Sequence, residues 1–271
     1  MTATSEAPRA SAGDLIQVTP APAHPTISAV LISLNAQAHL RECLQSVAWC
    51  DEVVVLDSGS TDATPKICAE AGATFSVSAD WPGFGPQKNR AIALASGAWI
   101  FSLDTDEVCT PELRAAIEDA VRVGTFPAYE MPRRSSFCGH FMRHGGWWPD
   151  HVTRVFRRGA ARFSDSRVHE SLVVDGKVGR VNTPLIHYTY DNLQQALEKA
   201  ERYATAGAQQ AFEQGKRATP LTAALRAAWA FVRTYVIRLG FLDGAPGLAL
   251  ARYNARTTCL RYMKLWRLGK S

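Results

Sequence analysis

Two short acidic loops each follow a continuous apolar run directly, and their carboxylates could hold a cation and a phosphorylated ligand. The first is DSGSTD (57–62), after EVVVLD (52–57), and the second is DTDE (104–107), after AWIFSLD (98–104). Mg²⁺ and Mn²⁺ prefer oxygen ligands and commonly bridge carboxylates to substrate phosphates. One Asp after a strand is often only a helix cap, but two such loops together predict a metal-dependent site for a phosphorylated substrate.

Alternating strand and helix patterns are expected to place these loops at one edge of a parallel sheet. Apolar runs predict strands at 27–34, 52–57, 73–78 and 98–104, and helical spacing predicts helices at 38–49, from Thr61 or Asp62 to Gly72, at 87–95 and at 111–123. Such alternation indicates right-handed βαβ units. Ligands of open α/β sheets bind beyond the carboxyl ends of the strands, where both acidic loops fall.

Beyond residue 124 the pattern is less regular. Strands or hairpins are predicted at 128–134, 152–158 and 171–176, and helices at 193–213 and 221–239. The last helix repeats large apolar residues at steps of three and four, namely Leu225, Trp229, Val232, Val236 and Leu239. This spacing is typical of an amphipathic helix.

Charge is distributed unevenly along the 271 residues, although the formal net charge is only +5. From Lys216 onward, 11 Lys and Arg residues stand against one acid, Asp243, so this segment carries +10 and the rest of the chain −5. A basic, aromatic-containing amphipathic segment predicts contact with an anionic membrane surface. Packing of the helix on the body is the alternative, and the two are compatible. No motif for nucleic acid accompanies the charge, so nucleic acid is not an expected partner.

Length and composition favour a globular chain with a sizeable core and exclude collagen-like, coiled-coil and mostly disordered classes. The first 25 residues are rich in Ala, Pro and Ser and lack the features of a secretory signal, so a disordered leader is predicted. No run of about 18 uncharged apolar residues occurs, which argues against a transmembrane helix. We therefore expect a cytoplasmic protein, peripheral to the inner face of the cytoplasmic membrane.

The segment from Ile27 to about Glu118 resembles the family 2 glycosyltransferases of the GT-A fold. The resemblance rests on ISLN (32–35), DSGSTDAT (57–64) and GFGPQKNRAIALASGAWIFSLDTDE (83–107). WWPDHVTRVFRR (147–158), RVHESL (167–172) and FLDG (241–244) resemble the branch that includes lipopolysaccharide-core β-glucosyltransferases of the WaaE type. The resemblance implies an α/β fold with a Rossmann-like, mostly parallel central sheet, flanking helices and a C-terminal basic amphipathic helical extension.

The resemblance also implies a domain division and an activity. The segments are a leader (1–25), a GT-A domain (26–215) with a nucleotide-sugar half (26–125) and an acceptor half (126–215), and a membrane-associating extension (216–271). The implied activity is inverting, metal-dependent transfer of a sugar, glucose from UDP-glucose, to a lipopolysaccharide-core or other lipid-linked acceptor. Mg²⁺ or Mn²⁺ is the expected cofactor.

Matching the family motifs residue by residue implies roles at the donor site. The residues expected at the nucleotide sugar are Asn35, Asp57, Lys88, Asn89 and Asp104. Asp57 would contact the base, and Asp104 would lie near the ribose and the metal. The implied metal ligands are Asp104, Asp106 and His169. Asn35 could instead cap a helix, and Lys88 could be a solvated helix charge.

Inverting transfer requires a carboxylate that takes the proton of the acceptor hydroxyl. Glu170, in the Val-His-Glu sequence, is the first candidate, because this segment follows a loop expected to fold over the donor. Asp150 is the second, and either residue could instead be a surface or ion-paired carboxylate. The residues expected at the acceptor or the diphosphate are Arg154, Arg157, Trp147 and Trp148, with core packing as the alternative for the tryptophan pair.

Three other activities are weighed. A polyprenyl-phosphate glycosyltransferase would have a phosphate as acceptor and would need no strong base. A nucleotidyltransferase should carry a Gly-rich phosphate loop early in the chain, and ISLNAQAHL (32–40) contains none. A non-catalytic membrane scaffold with a decayed site is disfavoured by the intact acidic residues Asp57, Asp104 and Asp106.

Overall fold

The computed structural model describes residues 24–164 and 171–270. The helices within these residues are α1 (Leu40–Ser46), α2 (Thr64–Glu70), α3 (Phe84–Ala93), α4 (Pro111–Val123), α5 (Leu193–Glu213), α6 (Pro220–Val232) and α7 (Gly244–Leu268). The strands are β1 (Ile27–Ser33), β2 (Glu52–Asp57), β3 (Thr74–Val77), β4 (Trp99–Leu103), β5 (Glu107–Val108), β6 (Ala128–Phe137), β7 (His140–Phe141), β8 (Asp150–Arg157), β9 (Ala161–Phe163), β10 (Leu172–Val174), β11 (Val178–Arg180) and β12 (Leu185–Tyr190).

One sheet organises the body of the protein. Its strand order is β3-β2-β1-β4-β8-β6-β12-β5, and β7 and β11 also pair with β6. The β3-β2-β1-β4 half is parallel throughout, whereas β8 is antiparallel to both of its neighbours and β5 is antiparallel to β12. The predicted α/β class, with a mostly parallel central sheet and flanking helices, is confirmed.

Both faces of the parallel half are covered, which explains why its strands read as continuous apolar runs. On one face, Ala29 and Leu31 of β1 belong to a buried cluster with residues of α1, α2 and α4. On the other face, Val30 belongs to a second cluster that includes Ala91 of α3 and Phe156 of β8. Alternate residues of one strand therefore belong to two separate cores.

Most of the predicted elements of the first half are observed within a few residues, and α4 has the predicted bounds. Thr110 caps α4 by accepting a hydrogen bond from the Leu113 amide at 3.2 Å, and Gly124 ends the helix with a φ of 62°. A single helix was predicted at 221–239. In the structure the regular α-helix α6 ends at Val232, and a π-helical turn, Arg233–Ile237, follows it directly. The strand β12 and the long helix α7 were not predicted as elements.

The last three helices form a layer beside the sheet. A row of small residues lets α5 approach α7 closely, and its buried members are Ala196, Ala200, Ala204, Gly207, Ala208 and Ala211. Leu250 and Leu265 of α7 are buried against this row. On its other side α7 contacts α6. Among the described residues, no helix has the length and apolar character needed to span a bilayer.

Candidate active site

The carboxyl ends of β1, β2 and β4 bring the two acidic loops to one edge of the sheet. Parallel pairing sets Ser33 opposite Asp57 and Leu31 opposite Leu103. A cleft of about 690 Å³ lies at this edge, and its lining includes residues 32–34 and 104–106. The placement expected for a ligand site in an open α/β sheet is therefore observed.

The other wall of the cleft comes from α5 and from the loop before α3. The α5 residues that line it are Lys199, Arg202, Tyr203 and Ala206. The loop contributes Trp81, and α3 contributes its first residue, Phe84. Both aromatic side chains are exposed, and their ring centroids lie 4.9 Å apart in an edge-to-face arrangement. These residues were not predicted for the site. The Trp-Pro-Gly-Phe-Gly-Pro sequence, with large rings on a Pro- and Gly-rich loop, is the signal that could have found the aromatic pair.

Asp57 organises the loop that follows β2. Its carboxylate is buried and accepts hydrogen bonds from the Ser33 hydroxyl (2.7 Å), the Gly59 amide (2.8 Å), and the amide and hydroxyl of Ser60 (both 2.6 Å). Burial favours the neutral acid, but the hydrogen bonds outweigh it and hold the pKa of Asp57 below its ordinary value. The ionised carboxylate therefore holds the loop in place through these hydrogen bonds. Contact between Asp57 and the base of a nucleotide stays a prediction.

Asn35 joins the end of β1 to the same loop. Its Oδ1 accepts a hydrogen bond from the Thr61 backbone amide at 2.9 Å, and its own backbone amide donates to the Ser60 hydroxyl at 2.7 Å. Its φ of 50° lies in the left-handed region, which Asn tolerates better than most residues do. Asn35 therefore shapes the rim of the cleft through the backbone, and direct contact with a nucleotide stays a prediction.

Asp104 is held between two cations. Lys88 Nζ lies 2.9 Å from its Oδ1, and Arg154 Nη2 donates to its Oδ2 at 2.5 Å. Arg154 is buried and also donates to Glu107 Oε1 at 2.6 Å. Burial would raise the pKa of Asp104, but Arg154 and Lys88 hold it well below the usual range. Three of the predicted residues, Lys88, Asp104 and Arg154, thus meet in one ion-pair network, and Glu107 is an unpredicted fourth member.

A second arginine extends this network to Asp150. Arg133 donates to Asp150 Oδ2 from Nε at 3.1 Å and from Nη2 at 2.7 Å, while its Nη1 lies 3.5 Å from Glu107 Oε1. The pairing arises because β6 and β8 are antiparallel with Arg133 opposite Asp150. Arg133 lines the cleft, so Asp150 is tethered next to it.

Asp106 has no Lys or Arg partner among the described residues, and its nearest ionisable neighbour is a histidine. Its Oδ2 lies 3.6 Å from Nε2 of His187. Nδ1 of the same ring lies 2.9 Å from the Ser135 hydroxyl and 3.0 Å from the Thr189 hydroxyl, which fixes the ring orientation. Pairing of β12 with β5 sets His187 opposite Glu107. His187 was missed because LIHYTY (185–190) was not read as a strand, although its β-branched and aromatic content favours one.

A divalent cation fits the Asp106–His187 pair. Metal bonds to carboxylate oxygen and imidazole nitrogen are about 2.0–2.2 Å long, so two ligand atoms 3.6 Å apart can contact one ion. Within the described part of the chain, no group of three or more His, Cys, Asp or Glu side chains is arranged to hold a metal by itself. Substrate phosphates and water would complete the coordination, as is usual for Mg²⁺. The oxygens of Asp104, a predicted ligand, are engaged by Lys88 and Arg154.

Asn89 fastens the strand β9 to α3. Its side-chain amide donates to the Phe163 carbonyl at 2.8 Å and accepts from the Phe163 amide at 2.9 Å. The next residue, Ser164, exchanges backbone and side-chain hydrogen bonds with Ser171. Asn89 thus positions the chain where residues 165–170 depart and return. His169 and Glu170, predicted as a metal contact and as the base, lie outside the described residues.

Arg157 is a correction to the predicted site. Its guanidinium donates to the Gly124 carbonyl at 2.8 Å and lies 4.7 Å from the ring centroid of Trp99. Antiparallel pairing sets Arg157 opposite Trp99, at the amino end of β4, whereas the cleft lies at the carboxyl end. Two residues of β8 separate it from Arg154, which lies at an irregularity in the β6–β8 pairing.

The two neighbouring tryptophans have different environments. Trp147 packs edge-to-face on Phe137, with ring centroids 5.7 Å apart, in a cluster that includes Tyr190 and Tyr253. Trp148 is exposed. The core-packing alternative therefore holds for Trp147, and neither ring is among the residues that line the cleft.

Comparison with known proteins gives concordant matches. A family model described as Glycosyl transferase family 2 matches residues 28–161. The lipopolysaccharide core biosynthesis glycosyltransferase LpsC of Rhizobium meliloti is 33% identical over 209 residues, covering 70% of this chain and 73% of that protein. The uncharacterized glycosyltransferase RP128 of Rickettsia prowazekii is 28% identical, covering 88% and 86%. Among solved structures, S. aureus TarS 1–349 in complex with UDP has a TM-score of 0.45 at 14% identity, covering 90% and 91%.

Proposed function

The chain belongs to glycosyl transferase family 2, and we propose that it is an inverting, metal-dependent enzyme that moves glucose from UDP-glucose to a lipopolysaccharide-core or other lipid-linked acceptor. The acceptor class is supported by the resemblance to LpsC, whose name assigns that protein to lipopolysaccharide core biosynthesis. Membership of a glycosyltransferase family argues against the nucleotidyltransferase alternative, and the intact Asp57, Asp104 and Asp106 argue against a scaffold with a decayed site.

The observation that carries this proposal is the arrangement of charge in the cleft. Asp104, Glu107 and Asp150 are each paired with Arg133, Arg154 or Lys88. Asp106 lies beside His187 without such a partner in the described residues. A carboxylate and an imidazole nitrogen that lie close together, with no Lys or Arg bound to the carboxylate, form an arrangement suited to binding a cation.

Different residues of the cleft have different roles in the proposed sugar transfer. Asp106 and His187 would hold a divalent cation, which when bound would supply Lewis-acid stabilisation of the charge on the leaving diphosphate. Lys199 and Arg202, on the α5 wall, are placed to attract the same diphosphate by charge. Arg154 and Lys88 keep Asp104 ionised and fixed in position, so the loop that carries Asp106 is already arranged before substrate binds.

Proton removal from the acceptor hydroxyl is assigned to Glu170, with Asp150 as the alternative. Asp150 has one carboxylate oxygen tied to Arg133, while half of the side chain faces solvent. A polyprenyl-phosphate acceptor remains the second candidate activity, because it would need neither base. We place the reaction at the inner face of the cytoplasmic membrane, where lipid-linked acceptors are assembled on an anionic surface.

Thermal unfolding with a panel of nucleotide sugars, with and without Mn²⁺, tests the proposal. A ligand at about 100 times its dissociation constant adds about 2.7 kcal/mol to the free energy of unfolding, which for a chain of this size raises Tm by roughly 5–10 °C. UDP-glucose should give this rise only when Mn²⁺ is present. Failure of every nucleotide sugar to raise Tm would contradict the proposed donor site.

Two variants assign the metal effect to the cleft. Asp106→Asn should abolish the Mn²⁺-dependent part of the stabilisation by UDP and lower turnover at least ~100-fold. Asp119→Asn, which changes an exposed carboxylate of α4 paired with Arg122, should behave like the parent. An Mn²⁺ requirement that survives in Asp106→Asn would show that the metal is held elsewhere.

A further inference from the structure

One side of α6 exposes a continuous row of large apolar side chains, here called the α6 face. Its members, on α6 and the turn that follows, are Leu221, Leu225, Trp229, Val232 and Val236. Leu221, Leu225 and Trp229 expose 67%, 63% and 54% of their surfaces. The steps of three and four keep these residues on one side of a helix, and in a globular protein such a row normally faces the core.

The rest of the chain leaves this row open because α6 uses its other side to pack. Ala223, the buried residue of α6, and Arg226, whose guanidinium lies 5.8 Å from the ring centroid of Tyr262, face α7. The turns after α6 extend the apolar surface with Ile237, Leu239, Phe241 and Leu242. Of the twenty exposed large apolar side chains in the described residues, nine thus lie between 221 and 242.

Positive charge surrounds the α6 face, and the described residues after 215 carry no exposed acidic side chain, whereas α5 of the same layer exposes Glu198, Glu201 and Glu213. The exposed cations of this layer include Lys216, Arg217, Arg226, Arg233, Arg238, Arg252 and Arg256. The one carboxylate after residue 215, that of Asp243, is nearly buried, lies 2.9 Å from His144 Nδ1 and accepts from the backbone amides of Arg143 and His144. The charge of the segment that carries the α6 face therefore favours an anionic partner.

We propose that the α6 face is a docking surface for an anionic lipid bilayer, with α6 lying in the plane of the interface. A helix that carries Leu and Trp on one side and Arg around it matches the chemistry of interfacial helices, in which apolar side chains enter the acyl boundary while cations meet headgroup phosphates. The same combination suits a protein partner less well, because protein interfaces do not supply a uniformly anionic counter-surface.

Docking at this surface would place the cleft close to the membrane. The helix α7 contacts α6 on one side and α5 on the other, and Lys264 of α7 is bonded to Glu201 and Thr205 of α5. The residues that directly follow these two in α5, Arg202 and Ala206, line the cleft. This consequence rests on the proposed lipid-linked acceptor, whereas binding to vesicles does not.

Flotation of the full-length chain with vesicles tests the proposal without any substrate. Vesicles of phosphatidylcholine with phosphatidylglycerol should bind the chain at about 50 mM salt, less at about 500 mM salt, and vesicles of phosphatidylcholine alone should bind it more weakly. The double variant Leu225→Ser/Trp229→Ser should lose at least ~30-fold in partitioning, because it removes two large side chains from the acyl boundary. Both positions are exposed, so Tm should not fall.

Val123→Ser is the matched control, since Val123 is 63% exposed, as Leu225 is, but lies at the end of α4. Equal partitioning of the parent and the double variant would overturn the proposal. A second result would also overturn it: the parent does not bind vesicles but forms a concentration-dependent dimer, and the double variant does not form that dimer. The α6 face would then join two copies of the chain. A chain that binds vesicles but is not stabilised by nucleotide sugars would refute the proposed donor while leaving this inference intact.

Discussion

At the scale of single residues, the carboxylates at the cleft differ in their partners. Asp104, Glu107 and Asp150 are ion-paired with Lys or Arg, whereas Asp106 has no such partner in the described residues. Arg154 is central to this separation, because one buried guanidinium donates to both Asp104 and Glu107. Its Nε is buried without a hydrogen-bond partner in the described residues, so the position is held by its charge partners and not by full hydrogen bonding. Arg154 directs its hydrogen bonds to Asp104 and Glu107, and Asp106 has no Lys or Arg partner within the described residues.

Replacing Arg154 should therefore be far more costly than replacing Arg157 on the same strand. Arg154→Met leaves two carboxylates without their main partner, and breaking a buried ion pair from one side costs about 3–5 kcal/mol of unfolding free energy. Arg157→Met removes one partly exposed hydrogen bond and a cation–π contact, which should cost about 1–2 kcal/mol and leave turnover unchanged. Urea unfolding measures both, and similar losses would contradict the assigned role of Arg154.

The base is tested at the same scale by two isosteric substitutions. Glu170→Gln cannot accept a proton, so turnover on a hydroxyl acceptor should fall ~100- to 10,000-fold while donor affinity is retained. Asp150→Asn is the paired measurement, and a large loss there with a nearly normal Glu170→Gln would move the base to Asp150. On a phosphate acceptor, which is already ionised at neutral pH, neither change should matter. Normal turnover of both variants on a hydroxyl acceptor would refute both assignments.

At the scale of elements, strand ends and their loops decide what reaches the cleft. The β12–β5 pairing brings His187 across from Glu107, and the Tyr188 amide donates to the Asp106 carbonyl at 2.9 Å. The loop after β2 is fixed by the Asp57 carboxylate in the same way that the loop after β4 is fixed by Arg154. Each acidic loop thus has its own internal anchor, and the cleft is shaped before any ligand enters.

The anchor after β2 predicts a defined pH dependence of stability. The pKa of Asp57 is lowered in the folded chain, so its contribution is complete above the unfolded value of about 3.9 and is lost as pH falls through the folded value. Asp57→Asn should lower the free energy of unfolding by about 2–3 kcal/mol at pH 7, because charged acceptor bonds are removed. The difference in Tm between parent and variant should stay constant down to about pH 5 and shrink only at more acid pH. A difference that already shrinks between pH 7 and 5 would show that another group is responsible.

At the scale of the whole molecule, the C-terminal layer is part of the structure that forms the cleft. Leu250 and Tyr253 of α7 pack in one cluster with Phe137 of β6, and Leu265 packs with Ala208 and Ala211 of α5. The predicted boundary at residue 216 therefore separates segments that share buried side chains.

Truncation after Gly215 should consequently do more than release the chain from membranes. It removes the cover from the small-residue row of α5, so the shortened chain should bind a hydrophobic dye and lose its cooperative thermal transition. Truncation after Leu268, which keeps all of α7, should leave Tm nearly unchanged. A stable, cooperatively unfolding chain ending at Gly215 would show that the extension is an independent unit.

The sequence by itself determined the strands and helices of the parallel half and the two acidic loops at their ends. Apolar runs, caps and turn residues are local signals, and strand direction places their carboxyl ends together. Only the tertiary structure decided that Asp104 is ion-paired with Arg154 and Lys88 and that Asp106 faces His187. It also decided that Arg157 lies at the amino end of β4 and that the α6 face stays open. Those facts depend on pairing between segments 50 or more residues apart and on which helix face is covered, and neither is encoded in a local pattern.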